Sequence, residues 1–307
     1  MRELREACAA VAAGARHVTV EPAAIAAYAA ELSGAPPTAP PTEPASPPSG
    51  ADRERLAAFW LTLDAINFGS GWFPTLRKRD GRSGYGTIAA ALQDHADRAG
   101  PWPAAALAAL DAPAVAAVLG QDPGHELMAL YAASLRDLGS HVAAEYGGRF
   151  AAVADAAHGS AVALARGLGE WPCFADTSVC DGLALPFLKR AQIAAADLQR
   201  AGVATFADLG ELTMFADNLV PHVLRLDGVL RFDPALVARI DREELIVHGS
   251  REEIEIRACA VHAVELVVAA RGDPALTAAQ ADQLLWERGG QPRYKASPRH
   301  RSRCTAY

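Results

Sequence analysis

Residues 250–271 read SREEIEIRACAVHAVELVVAAR, and this stretch decides the fold class. Ser250 and Glu253 have the S-x-x-E spacing of a capping box, which marks the beginning of a helix. The residues that follow are apolar over most of the surface that a helix would present, a pattern typical of a helix buried on nearly all sides. We therefore predict a central, largely buried helix that ends near Arg271.

The surrounding sequence predicts further helices. From Asp52 onward, Leu56, Phe59, Trp60 and Leu63 fall on one helical face, and Asn67 falls in the middle of that face. Other helices are expected from Glu126, from Pro186 as a first helical residue, and near Thr205 and Asp208. Strand character is limited to a possible short pair near Val18 and Leu245.

Composition favours the same fold class. Long Ala-rich stretches with few β-branched runs favour helix, because alanine loses no side-chain entropy in a helix. Residues 36–50 contain seven prolines and predict a flexible insertion loop. We therefore expect a mainly α fold, with residues 1–307 forming a single helical domain around that loop.

Charge, cysteine content and hydropathy exclude several functional classes. The net charge of −7 argues against a polymeric nucleic acid as partner, although a single nucleotide remains possible as a ligand. The five cysteines include no close CxxC pair, so neither a disulfide framework nor a zinc site is indicated. The charged amino terminus lacks a signal-peptide pattern, and no stretch suits a membrane span. A cytoplasmic protein without a membrane partner is expected.

Three segments place polar groups where packing alone would not require them: residues 187–193, residues 213–222, and the 255–265 part of the central helix. Buried charges must pair with each other or face a ligand, since an unpaired buried charge is costly. Lys189 and Arg190 could instead form a solvated helix face. Glu255 and Arg257 cannot face one another on a helix and are expected in ion pairs elsewhere.

Other polar residues leave two interpretations open. Asp217, just before a proline, is either a helix cap or a catalytic carboxylate. Asn67 is either a satisfied core amide or a ligand contact. His17, beside Val18 and Thr19, is an ordinary loop histidine unless a ligand lies next to it. The residues alone do not choose between these alternatives.

The polar segments resemble one known family. Residues 189–198, KRAQIAAADL, are similar to the Lys-Arg-Ala-Gln-Ile block of the queuosine salvage protein family, the queuosine 5′-phosphate N-glycosylases. Further blocks occur in the family's order and cover nearly the whole chain outside the Pro-rich loop. They are residues 63–68 (LDAINF), 83–85 (SGY), 174–176 (FAD), 215–217 (FAD), 255–258 (EIRA), 300–303 (HRSR) and the final Tyr307.

Two blocks depart from the family pattern. Residues 218–222 read NLVPH, where the family often has Tyr-Arg-Val-Pro-Gln, and Tyr85 is followed by Gly86 rather than by tryptophan. These changes leave the reaction type in place and bear on the detailed substrate contacts.

The resemblance implies an architecture similar to that of helix-hairpin-helix DNA glycosylases and hydrolysis of queuosine 5′-phosphate to release queuine. Asp217 would lie beneath C1′, where a carboxylate stabilises the oxocarbenium-like sugar and orients water. Phe215 would stack on the base, and Asp282 would accept hydrogen bonds from its guanine-like edge. Lys189 would act beside Asp217, on the phosphate or on the water. The reaction needs no metal or other cofactor.

The complete expected substrate-binding set is wider. It comprises His17, Asn67, Phe215, Asn218, Asp282, Trp286, His300 and Arg301. The basic segment 291–307 is expected to dock on the body of the protein and help to hold the 5′-phosphate. Two alternatives remain, a helical scaffold without catalysis and a DNA-base glycosylase, and the acidic net charge weighs against the second.

Overall fold

A computed structural model of the chain describes residues 1–32 and 50–307, and these residues are mainly helical, which confirms the predicted fold class. The helices are α1 Arg2–Ala13, α2 Pro22–Glu31, α3 Arg53–Ala65, α4 Gly84–Ala99, α5 Ala104–Ala108, α6 Ala112–Leu119, α7 Glu126–Tyr146, α8 Phe150–Asp155, α9 Ala161–Gly169, α10 Lys189–Arg200, α11 Val220–Leu226, α12 Pro234–Asp241, α13 Arg251–Arg271, α14 Ala278–Gly289 and α15 Pro292–Lys295. The strands are β1 Val18–Val20, β2 Thr177–Cys180, β3 Leu183–Pro186 and β4 Leu230–Phe232.

The described residues divide into two compact units. Unit 1 holds the described residues of Met1–Thr42 together with Asp176–Lys189 and Gly210–Arg303. Unit 2 holds those of Glu43–Ala175 together with Arg190–Leu209 and Cys304–Tyr307. The single domain expected over residues 1–307 stays a prediction, and the expected Pro-rich loop falls, except for Gly50, outside the described residues.

The central element of unit 1 is α13, as its sequence predicts. Most of its residues from Glu253 to Val264 are buried, and it packs against α1, α2, α11, α14 and β1. The Ser250 hydroxyl accepts a hydrogen bond from the Glu253 N–H (3.3 Å) and caps the helix. The Glu253 carboxylate accepts from the Gly249 N–H (3.1 Å), one residue before the cap.

A buried carboxylate on α13 fixes the position of β1. Glu255 accepts hydrogen bonds from the backbone N–H groups of three successive residues, Arg16 (3.0 Å), His17 (2.6 Å) and Val18 (3.3 Å). The strand so held pairs antiparallel with β4. The expected partner near Leu245 was therefore wrong: Leu245 is exposed and lies in the connection between α12 and α13.

The helix expected from Pro186 begins three residues later. Pro186 ends β3, whose hairpin with β2 was not anticipated. Leu188 follows with φ of 49°, a left-handed conformation that a helix cannot include. Its N–H donates to the Asp176 carbonyl (3.2 Å), and α10 starts only at Lys189.

Two other expectations in unit 2 also need correction. Asn67 does not lie on the face of α3, because the helix ends at Ala65 and the Asn67 N–H turns back to the Asp64 carbonyl (3.2 Å). Thr205 and Asp208 do not begin an α-helix, and only a short 3-10 helix, Leu209–Glu211, follows Asp208. Asp208 instead accepts from the Ser160 hydroxyl and the Ala161 N–H (both 2.6 Å) at the start of α9. A capping residue therefore serves a helix distant in sequence.

The solvated-face interpretation of Lys189 and Arg190 is wrong, because both side chains are buried. In unit 2, Arg190 donates to the carbonyls of Ala65 (2.7 Å) and Cys173. Its guanidinium lies 5.0 Å from the centre of the Phe68 ring.

Among the helices of the described ranges, none has the length and apolar composition needed to cross a membrane.

We predict that Glu255→Ala lowers the free energy of unfolding by about 3 kcal/mol, because it leaves several poorly hydrated backbone N–H groups without an acceptor. Urea unfolding measures this loss. Glu252→Ala is the matched control, since Glu252 lies on the same helix and pairs with Arg239 (3.2 Å) at a more exposed position. That control is expected to lose about 1 kcal/mol or less. Equal losses in the two variants would contradict the anchoring role.

Candidate functional site

The site in unit 1 is built around a fully buried arginine, Arg257 of α13. Its two terminal nitrogens donate to the two carboxylate oxygens of Asp176 (3.0 and 2.7 Å). Its Nε donates to the carbonyl of Ala216 (3.0 Å), and the guanidinium lies 4.0 Å from the centre of the Phe187 ring. One side chain therefore holds the segment before α10 and the segment before α11.

Asp176 connects Arg257 to the backbone of Lys189. The same Asp176 oxygen that binds Arg257 Nη2 accepts the Lys189 N–H (3.0 Å) and so helps to satisfy the backbone donors at the start of α10. The Lys189 residue is only 6% exposed. The first helical residue of α10 is thus a buried cation.

The segment 215–220 carries the candidate catalytic carboxylate. The Phe215 N–H donates to Asp282 Oδ1 (3.0 Å). Asp217 Oδ1 accepts from the N–H groups of Leu219 (2.8 Å) and Val220 (3.0 Å), so Asp217 caps α11. Within the described ranges no hydrogen bond from the protein reaches the second oxygen of Asp217. Capping and catalysis are therefore compatible, because each needs only one carboxylate oxygen.

Asp282 of α14 lies in a different environment from Asp217. It is 5% exposed, and burial raises the pKa of its carboxyl well above the usual range. The neighbouring Asp217 raises that pKa further, whereas the Phe215 N–H and the Lys189 charge lower it. Asp217 and Lys189 therefore both lie near Asp282, and the structure brings these three predicted residues together with Phe215.

Three other predicted residues lie beside these segments. Asn218 donates through Nδ2 to the His300 carbonyl (3.0 Å). The His300 side chain is buried, and burial lowers its pKa to about 3, so the imidazole is neutral near pH 7. Trp286 is half-buried and follows Asp282 by one helical turn on α14, which places the two on the same helix face.

The remaining predicted residues have other surroundings. The His17 backbone is held by Glu255, and its Nδ1 lies 3.5 Å from an Asp233 oxygen. Arg301 pairs with Glu243 (3.6 Å). Asn67 belongs to unit 2. The substrate contacts of His17, Asn67 and Arg301 stay predictions.

The basic C-terminal segment packs on unit 1 up to Arg303, the end of that unit, instead of extending into solvent. Tyr294 is buried, and its carbonyl lies 2.9 Å from the His222 ring. The Ser302 hydroxyl donates to the Ile246 carbonyl (2.7 Å). The expected docking of this segment is thus observed, whereas its role in phosphate binding stays a prediction.

Sequence reasoning did not identify Asp176 and Arg257 as parts of the site. Asp176 was named only as part of a block that resembles the family, and Arg257 was expected in an ion pair with an unspecified partner. The available signal was an arginine in the middle of a helix that is otherwise apolar.

In the described part of the chain, no group of three or more His, Cys, Asp or Glu side chains is arranged to hold a metal ion.

Comparison with known proteins adds independent information. The family model described as queuosine salvage protein matches residues 47–307. A protein of Sphaerobacter thermophilus is 39% identical over 267 residues, which cover 83% of this chain and 82% of that protein. A mouse protein is 30% identical over 189 residues, 56% of each chain, and a Dictyostelium discoideum protein is 38% identical over 140 residues, 44% of each chain. All three are named queuosine 5′-phosphate N-glycosylase/hydrolase.

We predict that Asp282→Asn stabilises the protein at alkaline pH. Because the folded protein holds this carboxyl at a raised pKa, wild type loses stability as pH rises from the ordinary carboxyl range through that pKa. Asparagine keeps an acceptor for the Phe215 N–H but cannot ionise. The variant should therefore melt above wild type at about pH 8, and the gap should close towards about pH 4.

Melting curves across this pH range measure the gap. Asp111→Asn is the control, because Asp111 caps α6 through the Ala114 N–H (2.9 Å) at an exposed position. It should show no gain in melting temperature as pH rises. A gap for Asp282→Asn that does not change with pH would contradict the prediction.

Proposed function

This chain belongs to the queuosine salvage protein family, and on that premise we propose that it hydrolyses the N-glycosidic bond of queuosine 5′-phosphate. The observation that carries the proposal is the group formed by Lys189, Phe215, Asp217 and Asp282. It combines two carboxylates in unlike environments, a buried cation and an aromatic ring, all within one unit. The helical fold agrees with an architecture similar to that of helix-hairpin-helix DNA glycosylases, which we include in the proposal.

The reaction places a water oxygen on C1′ and a proton on the departing base. The C1′–N bond breaks with its electron pair leaving on the base, and C1′ passes through an oxocarbenium-like state. A carboxylate beside C1′ stabilises that charge and accepts a proton from the attacking water. We assign this role to Asp217, because the Leu219 and Val220 N–H groups fix one oxygen and leave the other for the sugar and the water.

Recognition of the base is assigned to Asp282 and Phe215. A guanine-like edge presents N–H donors, which a carboxylate can accept. Asp282 Oδ1 holds the Phe215 N–H (3.0 Å), and its second oxygen receives no hydrogen bond from the described residues. The Phe215 ring is half-buried, as a ring that stacks on a ligand must be. In this proposal one hydrogen bond fixes the spacing between the stacking ring and the edge-binding carboxylate.

A 7-deazapurine leaving group lacks the ring nitrogen that is most easily protonated. More of the barrier must therefore be lowered at the sugar than in an ordinary purine nucleotide. Lys189 supports this chemistry as a buried cation that interacts with Asp282. Its backbone is linked to the segment that carries Asp217 through Asp176 and Arg257. We propose that its ammonium group orients the water or the phosphate.

The rest of the proposal concerns the substrate's surroundings. His17, Asn67, Asn218, Trp286, His300 and Arg301 complete the proposed substrate-binding set. The net charge of −7 supports a free nucleotide in preference to a polymeric nucleic acid. We also propose that the protein acts in the cytoplasm, without a membrane partner and without a cofactor.

We predict that Asp217→Asn lowers kcat by about 100-fold or more, because the amide cannot offset the positive charge on C1′. Queuine released from queuosine 5′-phosphate is measured by liquid chromatography. Asp111→Asn is the matched control, since it also removes the charge of a helix-capping aspartate, which accepts from the Ala114 N–H (2.9 Å). The control should retain wild-type turnover. A normal kcat in Asp217→Asn with an unchanged melting temperature would remove Asp217 from the mechanism.

We predict that Arg301→Gln lowers kcat/KM for the 5′-monophosphate by about tenfold and leaves the nucleoside unaffected, because a phosphate loses a charged donor. A point substitution is needed, since truncation after Gly290 would remove the buried Tyr294, His300 and Ser302. Arg242→Gln is the control, because Arg242 pairs with Glu244 (2.7 Å) at an exposed position. If the ratio of kcat/KM for the monophosphate to kcat/KM for the nucleoside is the same in wild type, Arg301→Gln and Arg242→Gln, Arg301 does not bind the phosphate.

A further inference from the structure

We propose that Arg257 is a positioning residue for the hydrolysis, acting through the backbone that carries Asp217. The inference rests on the proposed function. Arg257 touches none of the reacting atoms. It fixes the peptide group that precedes the catalytic carboxylate, and through Asp176 it fixes the backbone of Lys189.

The contacts of Arg257 converge on both catalytic segments. Its Nε donates to the Ala216 carbonyl (3.0 Å), which belongs to the same peptide group as the Asp217 nitrogen. Its other two donors meet Asp176, whose Oδ2 also receives the Lys189 N–H (3.0 Å). Removing the guanidinium would release the orientation of the Asp217 backbone and one anchor of Lys189 together.

The segment 215–220, which carries Asp217, is then held at three successive points. The Phe215 N–H is bound by Asp282, the Ala216 carbonyl by Arg257, and the Leu219 and Val220 N–H groups by the Asp217 side chain. Of these three restraints, only the one from Arg257 comes from α13, the buried central helix. A catalytic carboxylate must be held to within a fraction of an ångström, so a rigid element is the suitable support.

Only arginine can make this set of contacts. A guanidinium presents five donors in a plane, so two can meet a carboxylate while Nε meets a carbonyl. The flat face remains free to lie on an aromatic ring, here Phe187. Lysine has the same charge but donates from a single atom, so it cannot make the paired contacts in the same geometry.

Stability alone does not account for a buried ion pair at this position. Arg257 lies between Asp176 (2.7 Å) and Glu253 (3.7 Å), and all three side chains are almost fully buried. Replacing a buried ion pair by apolar residues of similar volume is often neutral or stabilising. The arrangement is explained if its benefit is the fixed geometry of the neighbouring backbone.

The test uses Arg257→Lys in the full chain and Arg271→Gln as the matched control. Arg271 also lies on α13 and donates to backbone carbonyls, those of Ala29 (3.1 Å) and Ala30 (3.3 Å). Its position is 14 residues from Arg257, about 21 Å along the helix. Both variants are assayed well below their melting temperatures, so that unfolding does not contribute to the rates.

We expect Arg257→Lys to lower kcat for queuosine 5′-phosphate by about tenfold or more, with KM within about threefold. In an Asp217→Asn background the same substitution should have little further effect, because both changes act through one group. Hydrogen exchange at the Leu219 and Val220 amides should become faster. Arg271→Gln should change none of these quantities.

Several results would overturn the inference. These are an unchanged kcat in folded Arg257→Lys, an undiminished effect in the Asp217→Asn background, or a loss of activity that only follows the unfolded fraction. If Arg257→Lys does not fold, Asp176→Asn carries the same test, since it keeps an acceptor for the Lys189 N–H but weakens the hold on Arg257. Inactivity of wild type on queuosine 5′-phosphate would refute the proposed function, and exchange at Leu219 and Val220 would still decide the positioning role.

Discussion

The structure of unit 1 depends on the burial of charged groups on one apolar helix. Arg257, Glu253 and Glu255 lie on α13 with almost no exposure, and each needs a partner; Glu253 finds its partners in Gly249 and in Arg257 itself. Glu255 is satisfied by the backbone before β1, and Arg257 by Asp176 and the Ala216 carbonyl. The central helix therefore fixes the position of segments that are far apart in sequence.

The proposed chemistry follows from the unlike surroundings of two carboxylates. Asp217 lies at the start of α11, where backbone N–H groups bind one of its oxygens. Asp282 is buried, and its raised pKa reflects that burial and the nearby Asp217. Two carboxyl groups in unlike surroundings can serve different roles at one site, here charge stabilisation and base recognition. The raised pKa of Asp282 has a cost in stability, which is typical of residues kept for function.

Strained and irregular backbone lies between the regular elements of this site. Leu188 has a left-handed conformation between β3 and α10, directly before the buried Lys189. The Asp176 carbonyl accepts a hydrogen bond from the Leu188 N–H, and the Asp176 side chain accepts one from the Lys189 N–H. Such a conformation persists only when its surroundings over-determine it, and in this protein the ion pair between Asp176 and Arg257 supplies that restraint.

The sequence by itself determined the fold class, the central helix at residues 250–271, and the family through ordered blocks such as residues 189–198, because periodicity and local motifs are properties of neighbouring residues. It did not determine that Pro186 ends a strand, that Asn67 lies beyond α3, or that Asp208 caps α9. It also left undecided whether Asp217 caps a helix, and it gave Arg257 no named partner. The outcomes for Asn67 and Asp217 are local hydrogen bonds, from the Asn67 N–H to Asp64 and from the Leu219 and Val220 N–H groups to Asp217. The others depend on Leu188, Ser160, Ala216 and Asp176, which meet their partners only after folding. Periodicity along the chain carries no information about which distant donor will meet which acceptor, so only the tertiary structure decided them.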